Sequence, residues 1–219
     1  KIARDEIKND TFVETIFEFR SYVKDNTKLL SRVGGGFIVL LVLIAFLGQS
    51  SKNNKREGQF LLTQSTVYLD NGDSQNAKIL LQELTDEYGN TESGRLGGYH
   101  LAQLYMKNND KESALPLLLE YSKKGRNSFL LTSANEAISS IYLEFNDIKN
   151  AIKYQAASVE NSISKKTAAL SKLKLIELYI KDESLERSIK LLDEIKYENT
   201  DDPDVMQKID YVSGLLMHN

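Results

Sequence analysis

The sequence predicts an all-α protein in which one membrane-spanning helix near the N-terminus precedes an α-solenoid. That solenoid has about four helix pairs and a capping helix at its C-terminal end. Three observations predict this. A segment opening on tyrosine recurs as YLDNGDSQNAKILL from Tyr68, YMKNNDKESALPLL from Tyr105, YLEFNDIKNAIKYQ from Tyr142 and YIKDESLERSIKLL from Tyr179, at a constant interval of 37 residues. Within each copy, turn formers separate two stretches of helical periodicity. Upstream of the copies, the 19 residues from Val33 to Ser51 carry no charge.

Composition sets the outer limits. With 219 residues, 41% hydrophobic and 27% charged, the chain is long enough to bury a core and is not a disordered tail. Its net charge is −3; residues 1–32 hold seven basic and six acidic side chains, and residues 52–219 hold 21 and 25. A slightly acidic domain repels phosphate, which excludes nucleic acid as the expected partner. The absence of cysteine excludes disulfides, thiolate catalysis and cysteine-based metal centres. A chain opening on Lys1 reads as a trimmed product, so an upstream targeting signal would not be visible.

In chain order, residues 1–32 form a tail with an amphipathic helix. Phe12, Ile16, Phe19 and Val23 share one stripe, with Val13 and Phe17 beside it and Glu14, Glu18, Lys24 and Asp25 elsewhere. Such a helix lies at a membrane interface, docks on a partner, or merely shields its apolar side among lipid headgroups. Residues 33–51 come next. As a helix they reach about 28 Å, close to a hydrocarbon core of roughly 30 Å, and are expected to be a transmembrane helix. The competing readings are a buried core helix and the hydrophobic part of a signal peptide. Arg20, Lys24, Lys28 and Arg32 on one side, against Lys52, Lys55 and Arg56 on the other, lean towards a cytoplasmic N-terminus.

Residues 52–219 contain the repeats. Five residues after each tyrosine stand Asp73, Asp110, Asp147 and Ser184, all good helix N-caps. Nine residues after it stand the small Ala77, Ala114, Ala151 and Ser188, which let the second helix of a pair approach the first. Between tyrosine and cap lie Asn71-Gly72, Asn108-Asn109, Asn146 and Asp182. Leu80/Leu81, Leu117/Leu118 and Leu191/Leu192 supply the second helix's apolar face; the third copy has Tyr154/Gln155 there and matches least well. Predicted helices are 56–70, 74–88, 92–107, 111–124, 128–144, 148–160, 165–181 and 185–197. A last one, 204–217, carries Val205, Ile209, Val212 and Leu216 on one side and covers the end of the stack. Pro116 removes an amide bond to Glu112 and should bend its helix slightly.

The triplets Tyr68/Ala77/Leu81, Tyr105/Ala114/Leu118 and Tyr179/Ser188/Leu192 resemble tetratricopeptide repeats. The period departs from the usual 34, the repeat's tryptophan position holds Leu61, Gly98, Asn135 and Lys172, and the terminal proline is missing. The resemblance implies tetratricopeptide-like pairs with longer links between repeats, and a protein-binding groove lined by first helices. Carried through the tyrosine register, that groove comprises Gln59, Leu62, Thr66 and Leu69, then Leu96, Tyr99, Gln103 and Met106. It continues with Glu136, Ser140 and Leu143, and ends with Leu173, Glu177 and Ile180. The family's carboxylate-gripping lysines and asparagines are absent from these positions, so an apolar helix or extended segment is the expected occupant, unless the leucines are inter-repeat core.

A short tail, one span and a tetratricopeptide-like domain together resemble the YfgM-like family, ancillary subunits of the bacterial SecYEG translocon. That resemblance implies an adaptor in the inner membrane, with a cytoplasmic N-terminus and a periplasmic repeat domain. Its implied partners are SecYEG, a PpiD-like membrane chaperone and nascent secretory chains. The alternative is a structural scaffold subunit of another bacterial envelope complex. No catalytic, cofactor or metal site is expected. Val33-Gly34-Gly35-Gly36 lacks the lysine of a phosphate loop, and Gly94-Arg95-Leu96-Gly97-Gly98 lacks the strand and spacing of a dinucleotide fingerprint. Small residues there instead suit close helix packing. His100 and His218 stand alone, and Asp201-Asp202-Pro203-Asp204 reads as a helix start rather than a calcium loop.

Overall fold

The computed structural model describes residues 3–198 and 202–218, without the side chains of residues 3–13, 29–35 and 37–39. The described residues are helical apart from short turns, and the chain divides into two compact units, residues 1–53 and 54–219.

In the first unit, α1 (Ala3–Asp25) ends where the backbone and side-chain amides of Asn26 both donate to Tyr22 O, at 3.0 and 2.9 Å. Of its expected stripe, Phe12 and Val13 lie outside the described side chains; Ile16, Phe17 and Phe19 are exposed, and Val23 is half-buried. Helix α2 (Thr27–Asp70) begins next. The transmembrane helix expected over 33–51 is not supported by the described residues, among which no helix is long and apolar enough to cross a membrane. The side chains of 33–35 and 37–39, within that segment, lie outside the description.

The second unit begins within α2. The helix expected at 56–70 is thus the last part of a longer one rather than a separate element. After it come α3 (Ser74–Tyr88), α4 (Glu92–Lys107), α5 (Lys111–Lys124), α6 (Ser128–Glu144), α7 (Ile148–Asn161), α8 (Lys165–Lys181), α9 (Leu185–Glu198) and α10 (Pro203–Met217). From α3 onward each helix packs on the next through α9, and α10 packs on both α8 and α9. These are stacked, tetratricopeptide-like helix pairs. α5 runs through Pro116 as one helix.

The tyrosine register has a backbone cause. In every copy the residue five after the tyrosine donates its N–H to the tyrosine carbonyl: Asp73 to Tyr68, Asp110 to Tyr105, Asp147 to Tyr142 and Ser184 to Tyr179, at 2.8–2.9 Å. The residue between, four after the tyrosine, takes positive φ each time: Gly72 76°, Asn109 59°, Asn146 59° and Glu183 57°. This left-handed step closes the first helix and aims the next. Asp73, Asp110 and Asp147 then cap the second helices, accepting from Asn76, Ser113 and Asn150 N–H at 3.1 Å. In the fourth copy Ser184 Oγ instead donates to Asp182 Oδ2 at 2.9 Å. Thr91, Asn127 and Ser164 cap the first helices, and Asp202 caps α10 with Pro203 in its first turn.

The links between repeats, residues 89–91, 125–127 and 162–164, are three residues each, the same as the turns within them. The longer links expected from the 37-residue period do not occur. The extra residues lie in the helices, since a capped helix gains one backbone bond per added residue and a loop gains none.

Ala77, Ala114, Ala151 and Ser188 are fully buried, as close pairing demands. At the start of α4, Gly94 and Gly97 allow a further close approach. A Cβ on Gly97 would stand 2.5 Å from Leu84 Cδ2, and one on Gly94 would strike the Tyr88 carbonyl. Val205, Ile209 and Val212 of α10 are buried, with Leu216 packed beside them.

Candidate functional site

First helices α2, α4, α6 and α8 carry the predicted groove residues, and the second unit brings them together in two places. Between α2 and α4 a cleft of about 440 Å³ is lined by Lys55, Gln59, Leu62, Glu92, Ser93 and Leu96, with Thr91 at the link. Between α6 and α8 a second cleft of about 290 Å³ is lined by Glu136, Ser139, Ser140, Leu143, Glu177 and Lys181 on these helices. Gln155 of α7 and Lys208 of α10 complete it, with Lys174 and Leu178 of α8. Six of the fourteen predicted residues thus line clefts on α2, α4 and α6 (Gln59, Leu62, Leu96, Glu136, Ser140, Leu143), and Glu177 adds a seventh from α8.

The other seven fall elsewhere. Tyr99 is 7% exposed and Leu173 fully buried, so both belong to the core rather than to a groove wall. Tyr99 packs its ring on Tyr121, 5.1 Å between centroids. Leu69 packs against the core cluster of the first copies, Met106 against that of the middle copies and Ile180 against that of the last. Leu62 and Leu96 also pack against core clusters while still facing the first cleft. Thr66 turns its hydroxyl back to Leu62 O at 2.8 Å, and Gln103 is exposed outside either cleft.

The second cleft is the more polar. Glu136 Oε2 accepts from Lys174 Nζ at 2.8 Å, and Oε1 accepts from Ser171 Oγ at 2.7 Å and Ser158 Oγ at 3.4 Å. Burial pushes the Glu136 carboxyl up, but the hydrogen bonds from Lys174 and Ser171, the Lys174 charge and Ser158 outweigh it, and it sits below its ordinary value. Lys208 Nζ pairs with Glu177 Oε1 at 3.0 Å. Gln155, 3% exposed, donates to Ser171 O at 3.0 Å.

Lys174, Lys208, Ser158 and Ser171 were not foreseen. The one signal for them was Gln155 itself, which stands thirteen after its tyrosine, where the other copies have Leu81, Leu118 and Leu192. Placed in the core between helices, its amide needs a partner, and Ser171 O provides one.

His100 is half-buried beside Tyr99, and burial lowers its pKa below 6.5. Asp201 lies outside the described residues; Lys166 bridges Asp202 and Asp204 at 3.2 and 2.5 Å, so these carboxylates serve the start of α10. Among the described residues no group of three or more His, Cys, Asp or Glu side chains is placed to hold a metal ion.

No protein family matches the chain, and neither does any curated protein. Among solved structures, it is similar to tetratricopeptide-like repeats of nearly identical sequence, assigned to a kinesin light chain of Podosopora anserina. The identity is 14% and the TM-score 0.48, over 74% of this chain and 95% of that one. A variant of the same repeats gives 15% and 0.49 over the same shares.

Proposed function

We propose that this chain is a non-catalytic, membrane-anchored adaptor that binds protein segments along the first-helix face of its repeats. The observation that carries the reading is the pair of open clefts between first helices. One has a leucine floor with a polar rim, and the other is studded with serine, lysine and carboxylate groups. Such surfaces suit an extended or helical peptide, with apolar anchors in pockets and polar groups fixing register.

The anchor is the segment 33–51. Leu40, Leu41, Val42, Leu43, Ile44, Phe46 and Leu47 are each 49–68% exposed on all sides of α2. Water would not tolerate so many uncovered apolar side chains in succession, whereas lipid would. With the flanking lysines and arginines, this supports an N-terminus in the cytoplasm and repeats across the membrane. In the finer form of the proposal the membrane is the bacterial inner membrane, and the chain an ancillary subunit of the Sec translocon. Its repeats would engage a PpiD-like chaperone or emerging secretory chains in the periplasm. That form rests on the layout of tail, span and repeats.

The test is purification of the full chain by its C-terminus in mild detergent, with its partners identified by mass spectrometry, beside a chain starting at Lys52. Recovery of SecY-type subunits that depends on the span, together with a membrane chaperone lost on Ser140→Arg and Leu96→Asp, is expected. Recovery of a different envelope assembly with no translocon component would replace the finer form by a scaffold role.

A further inference from the structure

The apolar core of the repeat domain is interrupted. One cluster joins α2, α3 and α4 around Leu81, Leu84 and Leu101, and a second joins α4 to α7 around Leu118, Ile138 and Ile141. Tyr105 and Leu117 pack against both, so these two clusters are continuous. The third holds α8, α9 and α10 around Leu173, Ile176, Ile195, Val205 and Val212, and it shares no residue with the others.

Across α7 and α8 runs a chain of side-chain hydrogen bonds. Gln155 donates to Ser171 O, Ser158 Oγ to Ser171 Oγ at 3.2 Å, and Ser171 Oγ to Glu136, which Lys174 also holds. Gln155, Ser158 and Ser171 are buried. Leu175 and Leu178 are buried on α8 but belong to none of the clusters. The cleft of about 290 Å³ opens along the same join.

In a stacked array, stability is close to a sum of repeat and nearest-neighbour terms, so the weakest interface decides where the array opens. Apolar burial gives a net gain for every square ångström removed from water. Hydrogen bonds across an interface are mostly exchanged for hydrogen bonds to water when it opens. An interface held by hydrogen bonds, with a cleft in it and no apolar cluster running through it, therefore gains less from burial than one with a continuous apolar core.

We infer that the repeat domain opens as two blocks, residues 54–161 on one side and α8, α9 and α10 on the other, parting at the Gln155–Ser158–Ser171–Glu136 seam. The cleft is the mouth of that seam, and its width follows the opening. Gln155 sets the boundary, since a leucine at its position extends the core in every other copy.

Native-state hydrogen exchange of the full chain in detergent micelles, read by mass spectrometry, tests this. The amides of α8, α9 and α10 should exchange as one set, on the order of tenfold faster than those of α4 to α6, with a step between α7 and α8. Protection that instead declines gradually from α6 to α10 is ordinary end fraying and overturns the inference. So does protection of α8 equal to that of α6. Gln155→Leu should slow exchange across α8–α10 by about tenfold and leave α4–α5 unchanged; a folded variant with an unaltered profile refutes the seam. Should the variant fail to fold, the wild-type profile decides alone.

Discussion

Glu183→Gly should stabilise the repeat domain, although it deletes a side chain from the surface. Four turns of one geometry exist, and they differ in the residue at the left-handed position: Gly72, Asn109, Asn146 and Glu183, at φ of 76°, 59°, 59° and 57°. Each is held by two backbone bonds; at Glu183 its own N–H donates to Ile180 O at 3.1 Å and that of Ser184 to Tyr179 O at 2.8 Å. An L-residue with a Cβ in this region costs roughly 1–2 kcal/mol. Asparagine tolerates it better, and glutamate has no such preference. Glycine removes the strain but makes the unfolded chain freer by roughly 0.5–1 kcal/mol. The net gain expected for Glu183→Gly is then about 0.5–1 kcal/mol, with Glu183→Asn gaining about half as much. For a domain of this size each kcal/mol moves Tm by roughly 2–4 °C, so the rise is about 1–4 °C. Urea unfolding followed by circular dichroism measures it, and Gly72→Ala serves as the converse, losing about 0.5–1 kcal/mol by the same two terms. A neutral or destabilising Glu183→Gly beside a neutral Gly72→Ala would refute the reasoning, because backbone strain at the turn could not then be the operative term.

The remaining predictions concern packing and protonation. Leu173→Ala should cost about 2–5 kcal/mol in urea unfolding, as for a buried leucine, whereas Gln103→Ala should stay within about 0.5 kcal/mol. Equal, small effects would return Leu173 to the groove. Gly94→Ala should destabilise more than Gly97→Ala, because its Cβ meets the backbone of Tyr88 rather than the side chain of Leu84. For Glu136, a folded pKa below the ordinary 4.5 means that its stabilisation is complete above that value and is lost as pH falls through the lowered one. Glu136→Gln should therefore be less stable at neutral pH and lose less on acidification, which acid titration of the unfolding midpoint reads. His100, lowered by burial, favours the neutral form, so its contribution is present above 6.5 and fades as pH falls through its folded value; His100→Gln should flatten that stretch of the stability profile.

Much of the fold was legible because the signals were local. A turn of fixed length, an aspartate cap and a small residue each act within one helix pair, and together they put helix ends within a residue of where they lie from α3 to α10. What was not legible depended on something beyond the pair. The first repeat's opening helix is part of α2, and the sequence carried that signal: residues 51–56 hold no proline to stop a helix, but the polar Ser51-Lys52-Asn53-Asn54 after the apolar run reads as a boundary. At Glu183 the local signal points elsewhere. Asp182 beside it has a turn-forming side chain, so composition pointed one residue too early, while the repeat register pointed to Glu183 and to Gly72, Asn109 and Asn146 at equivalent places.

The groove shows what a register can and cannot supply. Spacing from the tyrosine fixes the direction in which a side chain leaves its helix, and seven of the residues it selects line clefts on α2, α4, α6 and α8. Depth is a different quantity, set by how closely the neighbouring helices approach. At α4 the ring of Tyr99 packs on Tyr121 of α5 and is buried. At α8 the capping helix α10 packs close, and Leu173 joins its cluster. Equivalent positions therefore end as cleft wall at Leu62 and Glu136 and as core at Tyr99 and Leu173. Clefts in this repeat domain accordingly lie where the next helix stands off, beside Leu62 and Leu96 and along the polar seam at Glu136.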